Sequence, residues 1–218
     1  MNILFIGNSH TFAHGIPFQA RELFNRSSAE KVNVSMVTCG GKSLGWHAGT
    51  AGTRLNILCN QWDHIILQQA THPFATREQH EEDFLAMNEI VKGTGAKISF
   101  CMTWARKNEP EKQSEIEEVY TELADKLKWR KIPISKIWQK VIKEFPAIEL
   151  YKSDESHASP AGAYLVANMC YGIISGNTVT GLPGKIKSGN VELVDLPITE
   201  IEAIHKIIDL ELSLHVIN

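Results

Sequence analysis

Short apolar runs alternate along this chain with stripes of helical spacing. The runs fall at residues 2–6, 32–38, 64–67, 96–102 and 132–134. Several are rich in β-branched residues, as strands buried on both faces of a parallel sheet are. Between them, apolar residues recur every three or four positions. One stripe is Ile16, Ala20, Leu23 and Phe24, and a second is Phe84, Met87 and Val91. A third is Ile116, Val119, Tyr120, Leu123 and Leu127, and a shorter fourth is Ile137, Trp138, Val141 and Ile142. Each stripe predicts a helix with one buried face. Ser159-Pro160 opens a further helix, with proline at its first position. Thr199 and Glu202 have the spacing of a capping box for a last helix, striped by Ile201, Ile204, Ile208 and Leu212. The Gly-, Pro- and polar-rich stretch 175–196 reads as a loop.

Strand–helix–strand alternation implies parallel strands joined by right-handed crossovers, with helices on both faces. The expected architecture is an α/β fold, a three-layer α/β/α sandwich of the flavodoxin-like kind with about five parallel strands. No repeat or low-complexity segment interrupts it, so residues 1–218 are expected to form a single domain.

Composition narrows the function classes. A net charge of -3 gives no electrostatic reason to expect nucleic acid or an anionic membrane as partner. Cys39, Cys59, Cys101 and Cys170 are far apart and form no C-x-x-C pair. Cys39, Cys101 and Cys170 lie in or beside apolar segments, where a thiol behaves as a small buried hydrophobe. Nothing calls for an oxidising compartment. His10 and His14, four apart, could share a helix face. With no carboxylate or cysteine nearby they are read as structural, and no metal site is expected. The start, M-N-I-L-F-I-G, is too short and lacks the basic residues of a signal peptide, and no run reaches membrane-spanning length. A cytoplasmic protein is expected; a signal peptide already removed would leave no trace.

Four segments carry candidate chemistry: three lie beyond a strand, where an open parallel sheet binds its ligands, and one lies directly before the Ser159-Pro160 helix. Ser9, in G-N-S-H-T, sits where the first strand turns into a helix. Its N–H belongs to the unpaired donors of a helix start, which suit a developing oxyanion. Taken alone, such a segment is more often explained by simple capping through Asn8 or Ser9. In D-E-S-H, His157 can act as base for a serine and Asp154 can orient its ring, with Glu155 a local competitor. The blander alternative is a solvated acidic loop. Gly40 and Gly41, after the second strand, allow close backbone approach to a ligand. The following Lys42-Ser43 is no phosphate loop, because Met36 stands where that motif needs glycine. Gln68 and Gln69, after the third strand, are potential oxyanion donors or a merely polar loop.

Together these segments resemble the SGNH (GDSL-like) hydrolase superfamily, over about residues 2 to 174. G-N-S-H-T resembles its first block, Gly40-Gly41 its second, and D-x-x-H at Asp154–His157 its fifth. The wider pattern, with G-G-K-S-L, W-D-H-I-I-L-Q-Q and L-Y-x-x-D-x-x-H-x-S-x-x-G-x-Y-L, resembles an uncharacterised bacterial branch. The third block departs: the superfamily's G-x-N-D, whose Asn donates to the oxyanion, is replaced here by Q-Q-A-T. Some carbohydrate acetylesterases of the superfamily use Gln there. Gln68, the first residue past the apolar run, is the favoured donor over Gln69.

The resemblance implies a serine esterase with Ser9 as nucleophile and His157 and Asp154 completing a triad. Its oxyanion hole would draw on Ser9, Gly40 or Gly41, and a Gln amide. Its substrate would be a small-molecule O-acyl ester, such as acetyl on a sugar, with no cofactor required. Trp46, His72, Trp104 and Phe74 flank strand ends and are candidate pocket walls or ordinary packing. The rivals are a carbohydrate- or phosphate-binding module on the same fold, and a thioesterase or lysophospholipase. Oligomeric state is not legible.

Overall fold

The alternation of apolar runs and stripes folds as a twisted parallel sheet between two layers of helices. The computed structural model describes residues 1–27 and 31–215. Strands β1 (Asn2–Gly7), β2 (Asn33–Thr38), β3 (His64–Leu67), β4 (Lys97–Cys101) and β5 (Arg130–Ile132) form one sheet in the order β2-β1-β3-β4-β5. All its neighbouring pairs are parallel. Chain order reverses between β1 and β3, so a crevice opens beyond their carboxyl ends.

Side chains alternate across the central strands and split the core in two. Ile3 and Phe5 of β1 face α2 (Ile16–Ser27), α7 (Ile134–Glu144), α8 (Pro160–Ser175) and α9 (Ile198–His215). Leu4 and Ile6 face the opposite cluster, which includes α5 (Arg77–Val91) and α6 (Gln113–Lys126). The buried residues of those helices include every predicted stripe member except Leu127 and Ile142, which are partly buried. Ser159 caps α8 through its hydroxyl, which accepts the Gly162 N–H at 3.1 Å.

Several expectations are corrected. β2 is an edge strand with much of its length exposed, so it is not buried on both faces. The fifth strand lies at Arg130–Ile132 instead of 132–134. Pro133 has no N–H to give the ladder, and Ile134 already begins α7. Thr199 does not cap α9: the helix starts at Ile198, and the Pro197 carbonyl accepts the N–H groups of Glu200 and Ile201. The stretch 175–196 contains an antiparallel hairpin of β6 (Lys185–Ser188) and β7 (Val191–Asp195), not loop alone. Two short helices, α3 (Leu44–Gly49) and α4 (Ala51–Leu58), follow β2 and were not foreseen. Among the described residues, no helix is long and apolar enough to cross a membrane.

Candidate active site

The site begins with the way β1 ends. Asn8 leaves the strand and caps a four-residue helix, α1 (Ser9–Phe12), its Oδ1 accepting the His10 N–H at 3.1 Å. The capping explanation is therefore correct for Asn8, and it places Ser9 at the first helical position. Ser9's N–H takes no backbone acceptor among the described residues. His10 and His14 do not share a helix face, because His14 breaks the helix with φ 46°.

The elbow is held from three sides. Gly7 allows close packing: a Cβ there would lie 2.3 Å from Thr11 Oγ1 and 2.7 Å from Gln68 Oε1. The Gly7 carbonyl accepts from Nε2 of buried His47 at 2.9 Å, and Asn8 Nδ2 donates to the Lys42 carbonyl at 3.2 Å. That carbonyl ends a tight turn closed by Lys42 N–H to Cys39 O, with Gly41 at φ 68°. The left-handed value favours glycine there. The turn brings Gly40 and Gly41 beside the elbow.

Ser9 Oγ meets His157 Nε2 at 2.7 Å, and His157 Nδ1 meets Asp154 Oδ2 at 2.8 Å. Asp154 Oδ1 also accepts the N–H groups of Ser156 and His157, at 3.0 and 2.9 Å. Burial opposes ionisation of Asp154, but these two backbone donors and the imidazole outweigh it and hold the carboxyl well below its ordinary range. Glu155 takes φ 58°, and its carbonyl accepts the Lys107 N–H at 2.8 Å. It tethers the loop through its backbone, while Asp154 reaches the imidazole.

Gln68 and Gln69 are almost wholly buried, and both amides are engaged within the chain. Gln68 Oε1 accepts from the Asn8 N–H and the Thr11 hydroxyl, each at 3.0 Å. Two donors on that atom fix the orientation of the amide, whose nitrogen donates to the Gln69 carbonyl. Gln69 Oε1 accepts the Leu44 N–H at 2.7 Å, and its nitrogen donates to Asp83 at 2.7 Å and to His80 at 3.2 Å. As placed, the amides brace the elbow and the start of α3.

The candidate walls divide. Trp46 is 40% exposed, with the Lys42 ammonium 5.7 Å from its ring centroid. His72 is half-buried and donates to the Trp104 carbonyl at 3.1 Å. Burial first, then the nearby Arg106, lowers the His72 pKa to about 4. Phe74 packs on His80 and Tyr120. Trp104 is 1% exposed and stacks on Trp138, so it supports the crevice from behind instead of lining it. The cavity bordered by His10, Gln68, Thr103 and Trp104 is only about 10 Å³. A larger one, about 790 Å³, lies along α9 and includes none of these residues.

Sequence reasoning missed His10, His47 and Asp83. Apart from the place of His10 next to Ser9, nothing local marks them, since their partners lie on other elements.

No family model matches the chain, and no curated protein does so. Solved structures do. A DUF4886 family protein from Bacteroides uniformis is 16% identical with a TM-score of 0.70, covering 98% of this chain and 95% of its own. A lipase/acylhydrolase from Enterococcus faecalis is 16% identical with a TM-score of 0.65, covering 80% of this chain and 95% of its own. An acetyl xylan esterase is 17% identical with a TM-score of 0.64, covering 80% of this chain and all (100%) of its own. At such identities the likeness establishes a shared fold, one used by several esterases and lipases.

Proposed function

We propose that this chain is a single-domain serine esterase of the SGNH type that hydrolyses short O-acyl esters of small molecules, acetyl esters of carbohydrates among them. The observation that carries the reading is the continuous relay Ser9–His157–Asp154 at the carboxyl ends of the parallel strands. A serine hydroxyl is a weak nucleophile until a base takes its proton, and the relay supplies that base already oriented.

Ser9 Oγ attacks the ester carbonyl as its proton passes to His157 Nε2. The carbonyl oxygen becomes an oxyanion, held by the N–H groups of Ser9 and of Gly40 or Gly41. Collapse expels the alcohol, which takes the proton from His157 and leaves an acyl-serine. Water then adds to the acyl carbon and gives a proton to His157. Collapse releases the carboxylic acid and returns the proton to Ser9. Throughout, ionised Asp154 stabilises the imidazolium and fixes the tautomer that leaves Nε2 free to accept.

Support for a short acyl group comes from the candidate walls, where the exposed Trp46 carries the Lys42 ammonium over its ring and the rings of His10 and His72 pack beside His157. The test is a panel of p-nitrophenyl esters from acetate to long chains, with wild type and Ser9→Ala. Failure of wild type to hydrolyse any of them overturns the reading.

A further inference from the structure

We propose that His10 is a positioning residue for the base, its ring forming the fixed wall that keeps His157 in line with Ser9. The proposal rests on the reading of Ser9 and His157 as nucleophile and base. Its argument is geometric. Hydrogen bonds from Nε2 and Nδ1 tie His157 at two points. Two such ties still leave the ring free to tilt about the line joining the two nitrogens. The His157 side chain is also 32% exposed, so solvent offers no resistance to that tilt. A contact on the ring face removes this freedom.

His10 makes that contact. Its ring centroid lies 4.8 Å from that of His157, with 25° between the planes. The wall is itself fixed. His10 is 7% exposed and packs against Trp104, at 5.4 Å and 57°, and against His72, at 5.4 Å and 54°. Trp104 in turn stacks on Trp138 at 3.7 Å and 4°. An unbroken file of rings therefore runs from the core to His157. The Trp104 indole N–H also donates to the carbonyl of Ser156 at 3.0 Å, so the same file holds the backbone just before His157.

Hydrogen bonding alone does not explain the His10 ring: its Nε2 has no partner among the described residues, and its backbone partner is Ser156, next to His157. A role played through the ring face completes the account. The face is also electrically suitable. His157 becomes a cation during turnover, and a protonated neighbour would repel it. Burial first, then His72 and His157, lowers the His10 pKa to about 3, against smaller opposing effects of the Ser156 backbone and of Asp154. The ring thus stays neutral, and a neutral aromatic face accommodates a cation.

The experiment compares His10→Ala and His10→Phe, each checked for folding by near-ultraviolet circular dichroism. A misplacement near 1 Å can cost about 10²-fold, so His10→Ala should lower kcat by roughly 10- to 100-fold with KM nearly unchanged. It should also broaden the NMR signal of the His157 Nδ1 proton bonded to Asp154. His10→Phe, which restores a flat face, should recover both. The proposal is overturned if the alanine variant keeps wild-type kcat and proton signal, or if a folded phenylalanine variant is as impaired as alanine. Should alanine fail to fold, wild type decides: stacking must shift the His157 carbon-bound ring protons upfield, and unshifted protons overturn the wall. Because the NMR readouts need no turnover, absent ester hydrolysis would sink the esterase reading and still leave His10 tested.

Discussion

Ser9 Oγ lies 2.7 Å from His157 Nε2, although 148 positions of chain separate the two residues. The sheet brings them together: β1 delivers Ser9 to its carboxyl edge, and the loop before α8 returns His157 to the same edge. Ser9→Ala removes the proposed nucleophile and leaves the cap at Asn8 intact. Ester hydrolysis should fall by about 10⁴- to 10⁶-fold, with an unchanged melting temperature. Steady-state assays on a clean preparation check this, and undiminished turnover would refute the esterase assignment.

Asp154, not Glu155, should be the acid that matters. Asp154→Asn should lower kcat by roughly 10²- to 10⁴-fold, whereas Glu155→Gln, which keeps the backbone tether to Lys107, should be mild. The pH dependence has a definite sign. The folded-state pKa of Asp154 is depressed, so its partnership stabilises the fold above the ordinary carboxylate pKa. That contribution fades as pH falls through the folded value. Thermal melts of wild type and Asp154→Asn should therefore converge on acidification and differ near neutrality. A difference that grows toward acid would contradict the placement of this carboxylate.

How far the sequence revealed the molecule depends on where each signal resides. β1 and β3 were legible because burial on both faces leaves an unbroken apolar run, and α2, α5, α6 and α7 because one buried face leaves a period of 3.6. α4 left none: only Thr53 and Ile57 are buried, while Leu55 and Leu58 face solvent. α3 carries two glycines, poor helix formers, and owes its helix to the Ser43 cap and packing on α5. The β6–β7 hairpin did leave a signal, the Gly189-Asn190 turn between alternating residues, but the Gly and Pro around it concealed the strands. In the site, the segments of Ser9, Asp154 and His157 were legible as motifs. The directions of the Gln68 and Gln69 amides were not, because a sequence does not show which atoms a buried amide faces.

Gln68 distinguishes a donor from a brace. A donor acting only on the oxyanion would cost about 10²–10³ in kcat and nothing in stability. As placed, Gln68 Oε1 satisfies the Asn8 N–H and the Thr11 hydroxyl. Gln68→Ala leaves both without that acceptor, so it should also destabilise the fold by about 1–3 kcal/mol. Denaturant melts beside kinetics check this. A fall in kcat at wild-type stability would restore Gln68 as the oxyanion donor.

Acetyl esters should be cleaved fastest. The exposed wall at Trp46 carries the Lys42 ammonium over its ring, and the rings packed beside His157, His10 and His72, carry polar nitrogens. Lengthening the acyl chain should therefore bring little of the roughly 0.8 kcal/mol that each buried methylene contributes. Values of kcat/KM across the ester panel should fall or stay level with length. A steady rise would point to a lipase or thioesterase.

Gly45→Ala tests whether α3 positions the turn at Gly40 and Gly41, the proposed oxyanion donors. A Cβ at Gly45 would lie 1.9 Å from Asp83 Oδ1 and 2.8 Å from its Cγ. Asp83 has little room to yield, since it is 7% exposed and accepts from Gln69. Gln69 also binds the Leu44 N–H, so a shift of Asp83 disturbs both ends of the contact between α3 and α5. The displacement passes along two residues to Lys42, whose carbonyl holds Asn8, and so to Gly40 and Gly41. Overpacking of this kind costs about 1–3 kcal/mol of stability. Loss of one aligned oxyanion donor costs about 10²–10³ in kcat, so a partial misalignment should cost roughly 10- to 100-fold with KM little changed. Gly49→Ala is the control on the same helix, since a Cβ there meets nothing within 4 Å. It should match wild type in both kcat and stability. If Gly45→Ala loses stability and keeps full kcat, the turn holds its geometry without α3, and the tie from Asn8 to Lys42 is sufficient.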